Sequence, residues 1–150
     1  MIYLHDKITE NCFSDGCYTY SEDYSYSDMN ILLTDSIHVT GTLLLEGNFS
    51  SDSNIGAVSD ITLTGGNFNA NNIVVYSKFG DVCISENQVS LNGMIYAPFG
   101  TVSIDCGNFN LNGLIIAQNI VINSNIANIN YSASWAEFAG VQTEEFRCTR

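Results

Sequence analysis

Positive charge, charged residues in general and long apolar runs are all scarce in this sequence. Four Lys and Arg stand against sixteen Asp and Glu, which gives a formal net charge of −12. Because such a chain repels phosphate groups, we expect neither nucleic acid nor an anionic membrane surface as a partner. No segment approaches the roughly 18 consecutive apolar residues of a membrane span, so we expect no membrane insertion. With 45% hydrophobic and only 13% charged residues, the composition favours one ordered, β-rich domain.

The first residues, MIYLHDKITENC, lack the basic segment and following apolar run that mark a secretion signal. At face value this predicts a soluble chain without a targeting segment. A piece cut from a longer secreted protein would look the same, so the location stays open at this point.

Histidine is also scarce, and the cysteines do not have the spacing of a metal site. Cys12 and Cys17 flank the turn-like FSDG, and a disulfide between them would close a hairpin in an oxidising environment. Three other cysteines lack a Cys or His partner at zinc-ligand spacing: Cys83, Cys106 and Cys148. The acidic stretch SEDYSYSD lacks the ligand order of a calcium loop. We therefore predict no metal site and no cofactor.

Internal repetition is the most informative feature that is present. Four segments share one pattern and begin at these residues: Ile61, Val82, Val102 and Ile120. Their starts are 21, 20 and 18 residues apart, and each opens with two apolar residues at i and i+2. That spacing places both side chains on one face of a β-strand. A second alternating pair follows, and then an apolar stretch such as IVVY, MIYA or LIIA. The pattern predicts an all-β parallel β-helix of about four to five coils, with three short strands per coil.

Asparagine recurs at equivalent positions of these repeats. One column contains Asn71, Asn92, Asn112 and Asn130. A second contains Asn69, Ser90, Asn110 and Asn128. Asn followed by Gly tolerates the left-handed backbone of a tight corner, and stacked amides can hydrogen-bond from coil to coil. We favour a structural ladder over an Asn-rich binding face.

An earlier segment, SIHVTGTLLLEGN, fits the pattern if Ile37 and Val39 match Val89 and Leu91. This alignment leaves a surplus of about ten residues, which we assign to a loop insertion at residues 49–57. Because loops on rigid scaffolds often carry function, this loop is the first place where we expect a contact surface.

The chain is predicted to be a single β-solenoid domain over residues 1–150. It comprises an N-terminal cap or arm at 1–30, coils at 31–131, and a C-terminal cap and tail at 132–150. Caps are expected because the raw ends of a solenoid expose unpaired strand edges. Ser134 and Glu137 have capping-box spacing that predicts a short helix, and Trp135 with Phe138 would cover the last coil.

Candidate catalytic residues are few. A lyase acting on acidic polysaccharide needs clustered carboxylates with a basic residue beside them, and no Lys or Arg falls beside an acidic column. A glycoside hydrolase needs two facing carboxylates, but Asp81, Glu86 and Asp105 fall in different columns and resemble corner residues. His38 lies at an outward strand position with no Ser or Cys partner at a suggestive spacing. We predict no catalytic residue and no enzyme activity.

Three phrases carry a resemblance to known proteins: LNGMIYAPFGTVSI, FNLNGLIIAQNIVI and NINYSASWAEFAG. Over about residues 61–140, they resemble a β-helical segment of large, adhesin-like surface proteins of Gram-positive bacteria. The resemblance implies an extracellular, non-enzymatic spacer or adhesin-like module, and it transfers no catalytic residue. A looser similarity is to bactofilins, small bacterial β-helices that polymerise end to end as cytoskeletal scaffolds.

We therefore expect a capped, monomeric module of a bacterial cell-surface protein that acts as a rigid spacer or contact surface. Its partner would be a protein or a glycan at the cell surface. The alternative is a cytoplasmic, bactofilin-like scaffold that self-associates end to end, and a polysaccharide-acting β-helix enzyme ranks third.

Overall fold

The computed structural model describes residues 18–20, 22–132 and 134–135. It confirms the predicted fold class, because the described chain is almost entirely parallel β-structure wound into a solenoid of about four turns. The strands are β1 (Tyr18–Tyr20), β2 (Tyr24–Leu33), β3 (Ile37–Val39), β4 (Leu43–Ser51), β5 (Ile55–Ala57), β6 (Ile61–Thr64), β7 (Asn67–Ser77), β8 (Val82–Ser85) and β9 (Gln88–Tyr131). The long β9 is one run of extended residues that pairs first with β7 and then with β8.

Each turn contributes one short strand to each of three stacked parallel sheets, as the repeat predicts. The first sheet passes through residues 24–27, 43–46, 61–64, 82–85 and 102–105. The second sheet passes through residues 30–33, 49–51, 68–71 and 89–92. The third sheet passes through residues 18–20, 37–39, 55–57, 73–77 and 93–96.

The first sheet shows how alternation in the sequence builds the core. One buried column consists of Leu43, Ile61, Val82 and Val102. A second buried column, two residues further along each strand, consists of Leu45, Leu63, Ile84 and Ile104. Fully burying one such side chain stabilises the fold by about 1.5–3 kcal/mol, so the columns hold successive coils together. The apolar columns predicted for these coils are confirmed.

A one-residue bulge occurs at the corner between the second and third sheets. Asn71 pairs with Asn92 and Ile73 pairs with Gly93, which leaves Asn72 without a partner in the ladder. Asn72 has a φ of 60°, a left-handed conformation that Asn tolerates better than most residues. The bulge shifts the following strand by one residue, so that Tyr76 pairs with Tyr96 and their rings stack 5.6 Å apart.

At the Asn92-Gly93 and Asn112-Gly113 corners, the glycine allows the coils to stack closely. A Cβ atom on Gly93 would overlap the Ile73 carbonyl oxygen of the preceding coil. A Cβ on Gly113 would overlap the Gly93 carbonyl oxygen in the same way. The left-handed corner predicted at Asn92 is wrong, because the described non-glycine residues with positive φ are Glu22 and Asn72. Backbone contact between coils is what requires glycine at this column.

The loop insertion predicted at residues 49–57 is wrong. Phe49 pairs with Phe68 within the second sheet, and Ile55 begins β5 of the third sheet, paired with Val75. Ile37 pairs with Ile55, so Ile37 and Val39 belong to the third sheet and do not match Val89 and Leu91. The sequence alignment failed because both sheets have the same apolar alternation, and these coils are a few residues shorter than later ones.

Strand pairing also begins before the predicted coil boundary at residue 31. β1 pairs with β3, and Tyr24 pairs with Leu43, so part of the predicted N-terminal arm belongs to a coil. Polar outward residues around the tyrosines conceal this strand in the sequence. The Cys12–Cys17 pair, Lys7, and the proposed cap contacts of Glu137 and Phe138 lie outside the described residues.

The last coil is less buried than the sequence predicts. The alternation predicts Ile120 in a core column, but this residue is half exposed, whereas Ile122 packs against the core. Val121 is exposed, as its outward position predicts. The described part of the solenoid ends in this coil, so its inner face has a described neighbour on one side only.

Candidate functional site

The acidic corner residues act as acceptors between coils. Asp60 Oδ1 accepts a hydrogen bond from the backbone N–H of Asp81 at 2.8 Å, and Asp81 Oδ1 accepts one from Thr101 at 2.7 Å. Asp23 Oδ1 accepts from the backbone N–H of Thr42 at 2.8 Å. Hydrogen bonds to a carboxylate are stronger than neutral ones, so these side chains reinforce the stacking. Part of the acidity of the chain is therefore structural.

The amide ladder predicted along the second sheet is present in part. Asn128 Nδ2 donates to Asn110 Oδ1 at 3.0 Å, one coil away. Outside the predicted columns, Asn48 Oδ1 accepts a hydrogen bond from the backbone N–H of Asn67 at 3.1 Å. These amides bridge neighbouring coils, which favours the structural interpretation over a binding face.

A polar groove of about 650 Å³ lies at the corner after the first sheet, where residues 64–66, 85–87, 105–107 and 123–125 of successive coils meet. Glu86 is its most unusual member, because only 8% of its surface is exposed. Its Oε2 accepts a hydrogen bond from the backbone N–H of Gly66 at 2.6 Å. Its Oε1 is buried and has no hydrogen-bond partner among the described residues.

The protonation of Glu86 follows from this environment. Burial raises the pKa of its carboxyl above the ordinary value, and the hydrogen bond from Gly66 opposes the rise only partly. Asp105 on the next coil is exposed and pairs with Ser85, so its position in the ladder is not opposite Glu86. The expectation that these carboxylates occupy different columns is confirmed.

The groove also contains a buried thiol, Cys106. Its Sγ donates to the Asn108 carbonyl oxygen at 3.4 Å and contacts Ser124 Oγ at 3.9 Å. Burial raises the pKa of this thiol, and the charge of Asp105 raises it further, while the contact with Ser124 opposes the rise. A thiol with a raised pKa is a poor nucleophile at neutral pH. Cys83 is a free, exposed thiol on the outer face of the first sheet.

His38 lies on β3 as predicted, although it is half-buried and not fully solvated. Burial lowers the pKa of its imidazole, and the charge of Lys78 lowers it further. The ring is therefore neutral at physiological pH. Among residues 18–20, 22–132 and 134–135, no three His, Cys, Asp or Glu side chains form a group that could hold a metal ion.

A different feature stands out on the surface. Phe79 and Phe99 occupy the corner between the third and first sheets on adjacent coils, with ring centroids 6.0 Å apart. Their exposed fractions are 60% and 54%. The Nζ of Lys78 lies 5.2 Å from the centroid of the Phe79 ring. We call Lys78, Phe79 and Phe99 the aromatic corner.

The aromatic corner borders the outer face of the first sheet, which presents short polar side chains. These are Thr62, Cys83 and Ser103 in one column, and Thr64, Ser85 and Asp105 in the next. A strand of four residues spans roughly 13 Å, so this face is narrow and flat. The sequence signal for the aromatic corner is the Phe-Gly pair in KFGD and PFGT, just before the strand of consecutive repeats. The sequence alone did not indicate the aromatic corner, because the exposure of the two rings depends on how adjacent coils stack.

Within the part of the chain that the structure describes, no helix has the length and apolar character needed to cross a membrane. Comparison with models of protein families, with curated proteins and with solved structures finds no match to this chain.

Proposed function

We propose that this chain is a non-enzymatic β-solenoid module of a bacterial cell-surface protein, where it acts as a rigid spacer that carries a contact surface. The observation that carries the proposal is the uninterrupted stacking of three parallel sheets over successive coils. The inner coils continue the apolar columns of their neighbours, and the corners add hydrogen bonds between coils. Such a stack resists bending because any hinge would expose core side chains and break strand pairs together.

The chemistry of the polar groove supports a structural role. Glu86 is buried and accepts a hydrogen bond from a backbone N–H, and burial raises the pKa of the Cys106 thiol. Outside the groove, Asp81 accepts a hydrogen bond from the backbone of the next coil. Hydrolysis of a glycosidic bond needs two carboxyl groups on opposite sides of a substrate. Of the two carboxylates that line this groove, Glu86 accepts a hydrogen bond from the backbone of the preceding coil, and Asp105 pairs with Ser85, so the ladder does not place the two opposite each other.

The assignment to the cell surface rests on the resemblance of the NG-containing repeats to surface proteins and on the charge of the chain. A net charge of −12 with abundant uncharged polar residues suits a solvated module that avoids nucleic acid and anionic lipid. Antibody labelling of intact cells, compared with permeabilised cells, tests the location. Labelling only after permeabilisation would contradict it.

Rigidity is tested by distance measurements between spin labels. Leu32, Ser50, Asn69 and Ser90 follow one another in a single outward column, and Asn128 stacks on Asn110 in the continuation of that column. Labels at Leu32→Cys and Asn128→Cys, five coil steps apart, should lie about 24 Å apart because strands pair at roughly 4.8 Å. The native Cys12, Cys17, Cys83 and Cys148 are replaced by Ser in all labelled proteins, and the buried Cys106 is retained.

A matched pair makes the measurement specific. Moving the first label one coil to Ser50→Cys should shorten the distance by about 4.8 Å and leave the distribution equally narrow. A broad distribution, or no shortening, would contradict the rigid stack.

A second candidate, the self-assembling scaffold, is favoured by one observation. Apolar side chains are exposed at both ends of the described solenoid: Met29 and Leu32 on β2, and Ile126 and Ile129 in the last coil. Strand edges that have no partner among the described residues can pair with another chain at these ends. Sedimentation over a range of concentrations distinguishes the candidates, since filaments that disappear in Leu32→Asp would favour the scaffold over the monomeric spacer.

A further inference from the structure

The exposed apolar side chains of the described residues fall into three groups. Three lie on β2 at one end of the solenoid and five lie in the last coil at the other end: Tyr26, Met29 and Leu32, and Ile120, Val121, Ile126, Ile129 and Tyr131. Leu32 and Val121 face outward from their strands, and the other six lie in coils that have a described neighbour on one side only. Phe79 and Phe99 are the remaining two, and they lie in the middle of the rod, where the stack continues on both sides. Their exposure needs another reason.

Packing of the core does not require these rings. The buried columns on either side are complete without them, since Val82 and Val102 begin the next strands and are fully buried. A phenylalanine that remains more than half exposed leaves a large apolar area in water. Two such rings on adjacent coils, 6.0 Å apart with 35° between their planes, form a stepped apolar platform along the solenoid axis.

The surroundings of the platform identify the kind of molecule that it fits. Lys78 is the one Lys or Arg among the described residues, and it lies directly at the platform. Next to it, the outer face of the first sheet supplies hydroxyl groups from Thr62, Ser103 and their neighbours. Apolar ring faces, hydroxyl groups and a single ammonium donor together match a molecule that has C–H faces and many hydroxyl groups.

The net charge of the chain favours an uncharged molecule of this kind over an anionic one. The whole chain carries a net charge of −12, which repels a polyanion as it approaches. One lysine beside Asp81 does not reverse that field. An uncharged sugar chain avoids the repulsion and can still accept hydrogen bonds from the ammonium group.

We propose that the aromatic corner is a binding site for a neutral glycan, in which consecutive hexopyranose rings stack on Phe79 and Phe99 and Lys78 donates to a hydroxyl oxygen. The hydroxyl-lined outer face of the first sheet receives the adjoining sugar. This inference deepens the proposed contact function and rests on it.

The test is affinity electrophoresis through gels that contain a dissolved neutral polysaccharide, namely laminarin, mannan or xylan in separate gels, with polygalacturonate as the acidic comparison. We expect at least one neutral polysaccharide to retard the protein and polygalacturonate not to do so. Phe79→Ser and Phe99→Ser should each weaken binding at least tenfold, since truncated aromatic anchors typically dominate such contacts. Phe79→Tyr should retain binding, because it keeps the ring.

Val121→Ser is the matched control, because it removes an exposed apolar side chain at the end of the rod and should leave binding unchanged. Thermal unfolding of each variant verifies that the fold persists. Three results would each overturn the inference: no retardation by any neutral glycan, retardation by polygalacturonate alone, or undiminished binding by the double Ser variant. Self-association that disappears in that double variant would assign the platform to a second copy of the chain and overturn it as well.

The proposed function fails separately. Spin-label distances in the variant that combines Phe79→Ser and Phe99→Ser test the rigidity of the solenoid. They should match those of the parent whether or not glycan binding is found.

Discussion

Glu86→Gln should stabilise this protein at neutral pH. The change keeps the shape of the side chain and an oxygen that accepts from Gly66 N–H, but it removes a charge that the groove does not solvate. A buried polar group without a partner costs about 1–3 kcal/mol, and more when it is charged. We expect the free energy of unfolding at pH 7 to rise by about 1–2 kcal/mol, which corresponds to roughly 0.5–1 M in the urea midpoint.

The raised pKa of Glu86 determines how the stability gain of Glu86→Gln changes with pH. Because the folded pKa of Glu86 is raised above the unfolded value of 4.5, the folded state binds the proton more tightly. Proton binding by Glu86 therefore contributes fully to the stability of the parent protein below about pH 4.5, and this contribution is lost as the pH rises through the folded pKa. The advantage of Glu86→Gln should be largest at pH 7 and should vanish near pH 4.

Urea unfolding at both pH values, followed by circular dichroism, measures the effect. Asp105→Asn is the control, because it removes the same charge from an exposed position on the next coil and should change stability by no more than about 0.5 kcal/mol. A variant Glu86→Gln that is no more stable than the parent at pH 7, or whose gain persists unchanged at pH 4, would refute the burial of an unpaired carboxyl.

Three further perturbations probe the stack. Leu111→Asp should unfold the domain, because it exchanges about 1.5–3 kcal/mol of apolar burial for an unpaired charge, whereas Asn112→Asp at the adjacent exposed position should melt like the parent. Gly93→Ala should lower the stability of the domain by about 3 kcal/mol or more, because the new Cβ would overlap the Ile73 carbonyl oxygen of the preceding coil. Thermal unfolding measures the loss. An unchanged melting temperature would show that the coils can separate at little cost. In the native protein a maleimide reagent should modify Cys83 rapidly and Cys106 only on unfolding, and equal rates by mass spectrometry would contradict the buried assignment of Cys106.

The repeat from Ile61 onward could be assigned from sequence because alternation and period both report on the same physical constraint. Residues at i and i+2 share a strand face, and a period near 20 places like residues on top of one another. The columns through Ile61 and Leu63 were therefore predictable, as was the separation of Glu86 from Asp105. Before Ile61, the same alternation does not distinguish one sheet from another. Apolar pairs of two different sheets have the same spacing in the sequence. When a pair is assigned to the wrong sheet, the residues left over in the alignment resemble an inserted loop.

The sequence by itself determined that this chain winds into a parallel β-solenoid, because hydrophobic periodicity is a local property that each segment carries. Only the tertiary structure decided which sheet each strand joins, since a one-residue bulge at Asn72 or a shortened corner moves every later side chain relative to the next coil. It also decided that Glu86 is buried without a second partner and that Phe79 stands beside Phe99 on the surface. Those properties depend on the neighbouring coil about 20 residues away, and the local pattern of either segment does not contain them.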